Sequence, residues 1–71
     1  MQASEIRTWT GEEMQEQLDD AHRELFALRR ELAMGRLEDY TRVRAVKHDI
    51  ARMKTILRER ELVAELVEEA S

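Results

Sequence analysis

Two stretches of this 71-residue chain carry apolar residues at alternating steps of three and four, the spacing of a helix that packs lengthwise against another helix. The first seam consists of Met14, Leu18, Ala21, Leu25, Leu28 and Leu32. The second seam consists of Val43, Val46, Ile50, Met53 and Leu57. Because two such stripes can cover each other, the sequence predicts an all-α fold, a long antiparallel two-helix hairpin with coiled-coil-like packing.

A clear start signal precedes the first seam. Thr10 and Glu13 have the spacing of a capping box, in which each side chain can accept the backbone N–H of the other residue. Trp9 and Met14 have the offset of a hydrophobic staple, which favours a packing role for Trp9 over the alternative of base stacking. We therefore predict that the first helix begins at Gly11.

The connection between the two helices is short. Gly35 supplies the left-handed residue that commonly closes a helix, and Asp39 can cap the next helix after residues 36–38. So short a connection makes the two helices antiparallel neighbours. Beside the seams, we expect Phe26 to widen the first stripe. Tyr40 is expected to pack over the hairpin end or, as the alternative, to stack on a base.

Both ends of the chain differ from the hairpin. Residues 4–9 predict a short N-terminal helical turn or an extended arm, which is too brief to be stable alone. After Leu57 the heptad loses phase, since its continuation would place Arg60 and Ala64 on the seam. The apolar residues that follow form a different stripe, which consists of Leu62, Val63, Leu66 and Val67.

The acidic C-terminal tail at residues 59–71 has no partner helix within the chain. We expect it to be helical or frayed, to dock on Trp9 and Ile6, or to meet another molecule. The predicted domain organisation is therefore a helical hairpin domain at residues 1–61 and an acidic C-terminal extension at residues 62–71.

Composition narrows the class of protein. The chain contains no proline, no cysteine and two glycines, which favours long helices over sheets and excludes disulfides and thiolate metal sites. No apolar run approaches the ~20 residues of a membrane span. The N-terminus has neither a secretory apolar core nor an Arg-rich transit pattern. We therefore expect a cytoplasmic protein of at most one domain.

The net charge of −4 conceals an uneven distribution. Residues 1–22 have a net charge of −5, residues 23–58 of +5, and residues 59–71 of −4. A basic middle can act locally because exposed charges are screened beyond about 8 Å at physiological salt. The distribution is therefore compatible with a nucleic-acid partner, although the whole chain is an anion.

The back of the second helix is basic. The side chains that project away from its apolar seam, at about 100° per residue, are those of Arg44, Lys47, His48, Lys54 and Arg58. The small residues Ala51 and Thr55 lie between them. Such a face can approach a phosphate backbone closely while the long side chains reach outward. The alternative interpretation is a solvated surface, which is common for the back of a basic helix.

No arrangement of residues predicts catalysis. The sequence has no serine or cysteine in a nucleophile setting, no glycine-rich phosphate loop and no HExxH-like spacing. His22 and His48 lie on different helices without an obvious third ligand, so we expect no metal site and no cofactor. His22 is then solvated, and His48 is exposed or faces RNA. The sequence predicts that the protein is not an enzyme.

Three runs of the sequence carry a family likeness. They are Glu24-Leu25-Phe26-Ala27-Leu28-Arg29, Gly35-Arg36-Leu37-Glu38, and Val46-Lys47-His48-Asp49-Ile50-Ala51-Arg52-Met53-Lys54-Thr55-Ile56-Leu57. Over roughly Ser4 to Glu61 the chain resembles the ribosomal protein L-twenty-nine family of the large subunit. The resemblance is specific because the family's basic-basic-x-Ile-Ala-Arg signature corresponds here to residues 47–52, after the glycine turn.

The resemblance implies a structural protein, a hairpin lying against large-subunit ribosomal RNA beside the exit of the nascent-chain tunnel. It implies ribosomal protein L-twenty-three as a neighbour, with targeting or chaperone factors docking close by. The signature residues that it implies as RNA contacts are Lys47, His48 and Arg52. Helix geometry adds Arg44, Lys54 and Arg58. The secondary candidates near the turn are Arg29, Arg30 and Arg36.

Two features depart from the family pattern. His48 stands where the family usually has arginine or lysine, so this contact is expected to be weaker or pH-sensitive. The acidity of the chain and of the tail at residues 62–71 is unusual for a protein embedded in RNA. We expect the tail to face solvent or a protein neighbour, because phosphate would repel it.

A different class of function is a self-associating protein–protein interaction module. In this alternative, two hairpins pair through their apolar stripes into a four-helix bundle. A bundle of this kind would favour mixed charges around each helix, whereas the cations of this chain gather on one outer face. The placement of charge therefore favours the RNA-binding interpretation.

Overall fold

Three helices in chain order build the molecule. The computed structural model describes residues 1–36 and 40–70. Helix α1 comprises Ala3–Ile6, helix α2 comprises Gly11–Ala33, and helix α3 comprises Thr41–Ala70. Helix α3 packs against both α2 and α1, and the resulting rod measures 55 × 18 × 16 Å. The predicted all-α hairpin with a short N-terminal helical turn is confirmed.

The start of α2 lies where its sequence predicts, with one of the two predicted capping-box hydrogen bonds formed among the described residues. The helix begins at Gly11, and the Thr10 hydroxyl oxygen accepts the backbone N–H of Glu13 at 3.1 Å. This bond satisfies one of the N–H groups that the first turn of a helix leaves without a partner. Met14 is fully buried, and Trp9 is half-buried against the same core. Trp9 therefore has the packing role that the staple spacing predicts.

The end of α2 is closed by a glycine turn. Gly35 has a φ of 70°, in the left-handed region that glycine adopts without a steric penalty. Its N–H donates to the Leu32 carbonyl at 3.0 Å, and the Arg36 N–H donates to the Glu31 carbonyl at 2.9 Å. These two bonds are the Schellman pattern, which satisfies the last carbonyls of a helix. The predicted cap at Asp39 lies outside the described residues.

Apolar side chains from all three helices form one core. Its buried members within the described ranges are Ile6, Met14, Leu18, Leu25, Val43, Val46, Ile50, Met53 and Ile56. Ala21, Leu28 and Leu32 are half-buried against them. Every member of the first predicted seam therefore faces the core, as do the first four members of the second seam.

The second predicted seam omits a buried residue near its end. Ile56 is 3% exposed and belongs to the core, whereas Leu57, the last predicted member, is half-buried against the core like Leu28 and Leu32 of the first seam. An α-helix drifts by about 20° per heptad from a strict seven-residue repeat. At this level α1 packs on α3 and adds Ile6 to the core. The buried face of α3 therefore turns toward α1, and Ile56 points into it.

Two aromatic side chains lie mainly in solvent. Phe26 is 66% exposed, so the prediction that it widens the first stripe was wrong. It follows Leu25 by one residue, which turns it about 100° around α2 from the seam. The Arg30 guanidinium lies 5.8 Å from the centroid of the Phe26 ring. Tyr40 is 54% exposed, so at most half of its surface packs over the hairpin end.

The last part of α3 projects beyond the hairpin core. The helix continues to Ala70, and residues 61–70, called the spur below, are all exposed. The described tail is therefore helical, not frayed, and beyond Arg60 its residues are exposed instead of docking on Trp9 and Ile6. Arg60, which continuation of the heptad places on the seam, is half-buried and donates to the Trp9 carbonyl oxygen at 2.7 Å.

Candidate nucleic-acid interface

Because the chain folds back on itself, its acidic first and last segments lie at one end of the molecule, and its basic middle segment lies toward the other end. Arg42 of α3 lies 2.5 Å from the carboxylate of Glu24 on α2, whereas Arg60 reaches the backbone of Trp9 before α2 begins. This antiparallel register places the acidic first turns of α2 at the same end of the rod as the acidic last part of α3, which projects beyond them. The arginines and lysines are concentrated toward the turn.

A shallow depression lies on the outer surface of α3. It encloses about 270 Å³ and is lined by Arg44, Lys47, His48 and Ala51. All four residues are exposed. The small side chain of Ala51 forms its floor, because steps of three, four and seven residues return to the same side of a helix. The side chains of Arg44, Lys47 and His48, all predicted site residues, thus surround this depression.

Three cations on this side of α3 have side chains without a partner among the described residues. The side chains of Arg44, Lys47 and Lys54 make no hydrogen bond or ion pair within the described ranges, and all three residues are exposed. We call the surface formed by Arg44, Lys47, His48 and Lys54 the basic face. Asp49 is the only carboxylate between residues 41 and 58, and it is half-buried near the Met1 amino group instead of lying among these cations. The basic face therefore has uncompensated positive charge.

Two other predicted cations of α3 are engaged within the chain. Arg52 donates a hydrogen bond from Nη1 to the carbonyl oxygen of Met1. Arg58 lies 2.9 Å from Glu61 and 3.9 Å from Glu65, both on its own helix. These guanidinium groups are exposed, but each already has acceptors. They are consequently less available to an anion than the cations of the basic face.

The secondary candidates lie at the end of α2. Arg29 is exposed and, among the described residues, has no hydrogen-bond or ion-pair partner. Arg30 stacks over Phe26, and Arg36 is exposed just after the glycine turn. The structure places all three toward the basic end, on a different helix from the basic face.

Several charged side chains that the sequence analysis did not single out have structural roles. Arg42 ties α3 to α2 through Glu24, with Nε donating to the carboxylate at 2.6 Å. Arg60 and Arg7 hold the N-terminal segment against α3. The signal for Arg60 was present in the sequence, since a cation on a seam position needs buried acceptors. For Arg42 there was no comparable signal, because its partner is 18 residues away.

One cation outside the candidate interface is strongly tied to a carboxylate. Arg23 Nη2 lies 2.5 Å from Asp20 Oδ1 on the same helix. The hydrogen bond that Arg23 donates to the Asp20 carboxylate, together with the negative charge of that carboxylate, raises the pKa of the Arg23 guanidinium above its ordinary value, but both groups are exposed. Arg23 thus provides a matched control for the cations of the basic face.

Other kinds of site receive no support in the part of the chain that the structure describes. No group of three histidine, aspartate or glutamate side chains there could hold a metal ion. None of the helices in the described ranges has the length and apolarity needed to cross a membrane. What these ranges do present is a charged surface on a rigid helix.

The fold and its surface define a small helical-hairpin scaffold protein. Residues 4–60 match the family described as Ribosomal L29 protein, and the chain belongs to this family. Its members are structural ribosomal proteins and not enzymes. Family membership places the chain in the large ribosomal subunit, and therefore in the cytoplasm.

Similar proteins cover nearly the whole hairpin. The "Large ribosomal subunit protein uL29" of Thermotoga maritima is 52% identical over 62 residues, which is 87% of this chain and 94% of that protein. The protein of the same name from Geobacillus stearothermophilus is 53% identical over 64 residues, 90% of this chain and 97% of that protein. The Caldanaerobacter subterraneus protein is 53% identical over 62 residues, 87% of this chain and 94% of that protein.

Proposed function

We propose that this structural ribosomal protein binds large-subunit ribosomal RNA through the basic face of α3. The observation that carries the proposal is the cluster of Arg44, Lys47 and His48 around the low floor at Ala51. Phosphate groups are bound by side chains that can form charge-assisted hydrogen bonds without first breaking others. Arg44 and Lys47 meet this condition, since neither has a partner within the described ranges.

The limits of the RNA contact follow from the carboxylates along α3. From Glu59 onward the helix carries five glutamates, and Arg58 is already paired with two of them. Phosphate would be repelled from this part of the helix. We therefore expect RNA to lie along the first half of α3, with Lys54 near the far edge of the contact.

The other predicted site residues are less favourable RNA contacts. Arg52 and Arg58 would have to exchange existing hydrogen bonds for phosphate contacts, which reduces the net gain. Arg29, Arg30 and Arg36 could reach a second RNA segment at the turn. His48 contributes a hydrogen-bond donor, but a full positive charge only when it is protonated.

The setting of the hairpin in the ribosome is also part of the proposal. The resemblance implies a position beside the exit of the nascent-chain tunnel. Ribosomal protein L-twenty-three would be a neighbour, and targeting or chaperone factors would dock close by. The two unlike ends of the rod suit such a boundary, because the basic end can face RNA while the acidic end faces solvent or protein.

The alternative of a four-helix bundle formed through the apolar seams is not favoured. Core members of both seams are already buried inside a single chain, so in the described ranges the seams offer no free surface to a second hairpin. The large apolar residues that remain exposed in the described ranges are all outside either seam. Four of them are on the spur, and the others are Met1, Phe26, Met34 and Tyr40.

The test is a binding titration with the full chain and protein-free large-subunit ribosomal RNA. Kd is measured at several salt concentrations for the wild-type chain and for Arg44→Gln and Lys47→Gln. Each substitution should weaken binding and lower the salt dependence of log Kd by about one unit, since each removes about one phosphate contact. The control Arg23→Gln makes the same change of charge on α2 and should leave the salt dependence unchanged.

Two results would contradict the proposal. One is an unchanged salt dependence in both variants of the basic face. The other is an equal loss for Arg23→Gln, because this would show that binding depends only on net charge. Circular dichroism at matched concentration checks that the three variants retain the helical content of the wild-type chain.

A further inference from the structure

The spur has one apolar side and one acidic side. At about 100° per residue, Leu62, Leu66, Val63 and Val67 lie within an arc of roughly 140°. The rest of the circumference carries the glutamates at positions 61, 65, 68 and 69, and Glu69 and Glu65 border the leucine edge of the stripe. The four apolar residues are between 44% and 64% exposed. Single exposed apolar residues are common, but a contiguous stripe of four marks an interaction site.

The apolar stripe continues onto the body of the hairpin. A groove of about 390 Å³ lies between Arg7 and α3 and includes Val63 and Ala64 of the spur. Ile56, Glu59 and Arg60 complete its lining, and the surface is mainly apolar. The stripe and this groove form one continuous surface, called the spur surface below. Its length is about three helical turns, which suits a helix-in-groove contact.

We propose that the spur surface docks a basic amphipathic segment of a partner protein. The segment presents an apolar stripe to Leu62, Val63, Leu66 and Val67, and lysine or arginine side chains to the acidic rim. Charge complementarity selects this occupant. Glu65 and Glu69 lie beside Leu62 and Leu66 on the helix surface, and Glu69 has no ion pair among the described residues.

Charge also disfavours the other occupants. RNA would bring phosphates against a segment whose net charge over residues 59–71 is −4. A second copy of this chain would bring an identical acidic rim against the first, and like charges placed opposite each other oppose association. The lysine and arginine side chains of a basic protein segment are instead attracted to the glutamates of the spur.

The proposal is independent of RNA binding by the basic face. The spur follows the family-matched residues 4–60, and it lies at the opposite end of the rod from the turn. Neither Arg44 nor Lys47 contributes to the spur surface. Failure of either proposal can therefore be recognised separately.

The test uses the full chain and a synthetic probe peptide of about five helical turns. The probe carries leucines at helical spacing with lysines on both flanks, and its charge-reversed counterpart carries glutamates in place of the lysines. Binding is measured by fluorescence anisotropy of the labelled peptide. The lysine peptide should bind, and raising the salt concentration should weaken it. The charge-reversed peptide should bind at least about tenfold more weakly, a difference of about 1.4 kcal/mol.

Variants assign the binding to the spur surface. The double substitution Leu62→Gln with Leu66→Gln should weaken binding of the lysine peptide by about tenfold or more, because it removes two apolar anchors. Phe26→Gln is the control, since Phe26 is an exposed apolar residue on α2 whose exposure, 66%, is close to the 64% of Leu66. Glu65→Gln with Glu69→Gln should reduce both the affinity and its salt dependence. If the double leucine variant loses helicity, Leu66→Gln alone replaces it.

Five outcomes would overturn the proposal. The lysine peptide fails to bind, or the charge-reversed peptide binds equally well. Alternatively, the spur variants bind like the wild-type chain. A single-stranded RNA oligonucleotide that displaces the peptide from the wild-type chain and fails to bind the spur variants would assign the surface to RNA. Sedimentation showing a dimer of the wild-type chain that Leu66→Gln abolishes would assign it to a second copy.

Discussion

The Arg60 guanidinium donates a hydrogen bond to the backbone carbonyl oxygen of Trp9 at 2.7 Å, across 51 residues of sequence. The same Nη2 atom lies 3.5 Å from the Arg7 carbonyl oxygen. Arg7 in turn lies 3.7 Å from the carboxylate of Glu59. Through these contacts α3 holds the segment between α1 and α2, at the point where the apolar core ends and the spur begins.

Replacement of Arg60 should loosen this junction. Arg60→Met keeps an unbranched apolar stem but removes the donors, and we expect it to lower the free energy of unfolding by about 1.5–3 kcal/mol, the range for a hydrogen bond to a charged group. Urea titration followed by circular dichroism measures this. Arg58→Met is the matched control, because Arg58 has exposed ion pairs, which contribute about 0–1 kcal/mol. Equal effects of the two substitutions would show that the Trp9 contact does not stabilise the fold.

Two adjacent residues test where the buried face of α3 lies. Ile56→Ala should lower the free energy of unfolding by about 2–5 kcal/mol, as expected for truncating a buried isoleucine. Leu57→Ala removes a side chain of the same size from a half-buried position and should cost less than half as much. Thermal or urea unfolding of both variants gives the comparison. A larger loss for Leu57→Ala would restore the strict heptad seam.

The two glycines should respond oppositely to alanine. Gly35→Ala places a Cβ on a residue with a φ of 70° and should destabilise the hairpin by about 1 kcal/mol. Gly11→Ala is at the first position of α2, where a Cβ meets no atom within 4 Å, and should stabilise by up to about 1 kcal/mol. The melting temperatures of the two variants should move in opposite directions. A shift of both in one direction would contradict the Schellman closure at Gly35.

The interhelical ion pair between Arg42 and Glu24 should be weak and sensitive to salt. Both side chains are more than a third exposed, so a double-mutant cycle with alanine should give a coupling of about 0.2–1 kcal/mol. In 1 M salt, where screening acts over about 3 Å, the coupling should fall further. A coupling that stays constant with salt would indicate that the pair is more strongly desolvated than its exposure implies.

Much of the fold could be predicted because local chemistry decides it. The cap at Thr10 and the turn at Gly35 depend on residues within four positions, and the seams depend on helical periodicity. Ile56 could not be identified in the same way. Its burial depends on the docking of α1, a four-residue helix that is not stable alone and exists only through tertiary contact.

The sequence predicted which residues form the candidate interface, but it did not predict which of them are already engaged with other groups of the chain. Helical spacing correctly identified Arg44, Lys47, His48 and Lys54 as exposed on the outer side of α3. It could not show that Arg52 is engaged, since its acceptor belongs to Met1, 51 residues away. It also left open whether Arg58 points outward or toward Glu61. RNA contact by these residues stays a prediction.

The opposite charge of the two ends gives the rod a direction. Its length of 55 Å is several times the screening distance of about 8 Å at physiological salt, so each end responds to its own surroundings. Near a polyanion, the turn end is pulled inward and the open end is pushed outward, which produces a torque before any contact forms. In such a field the molecule is aligned before contact, and head-to-tail inversion is disfavoured at the encounter itself.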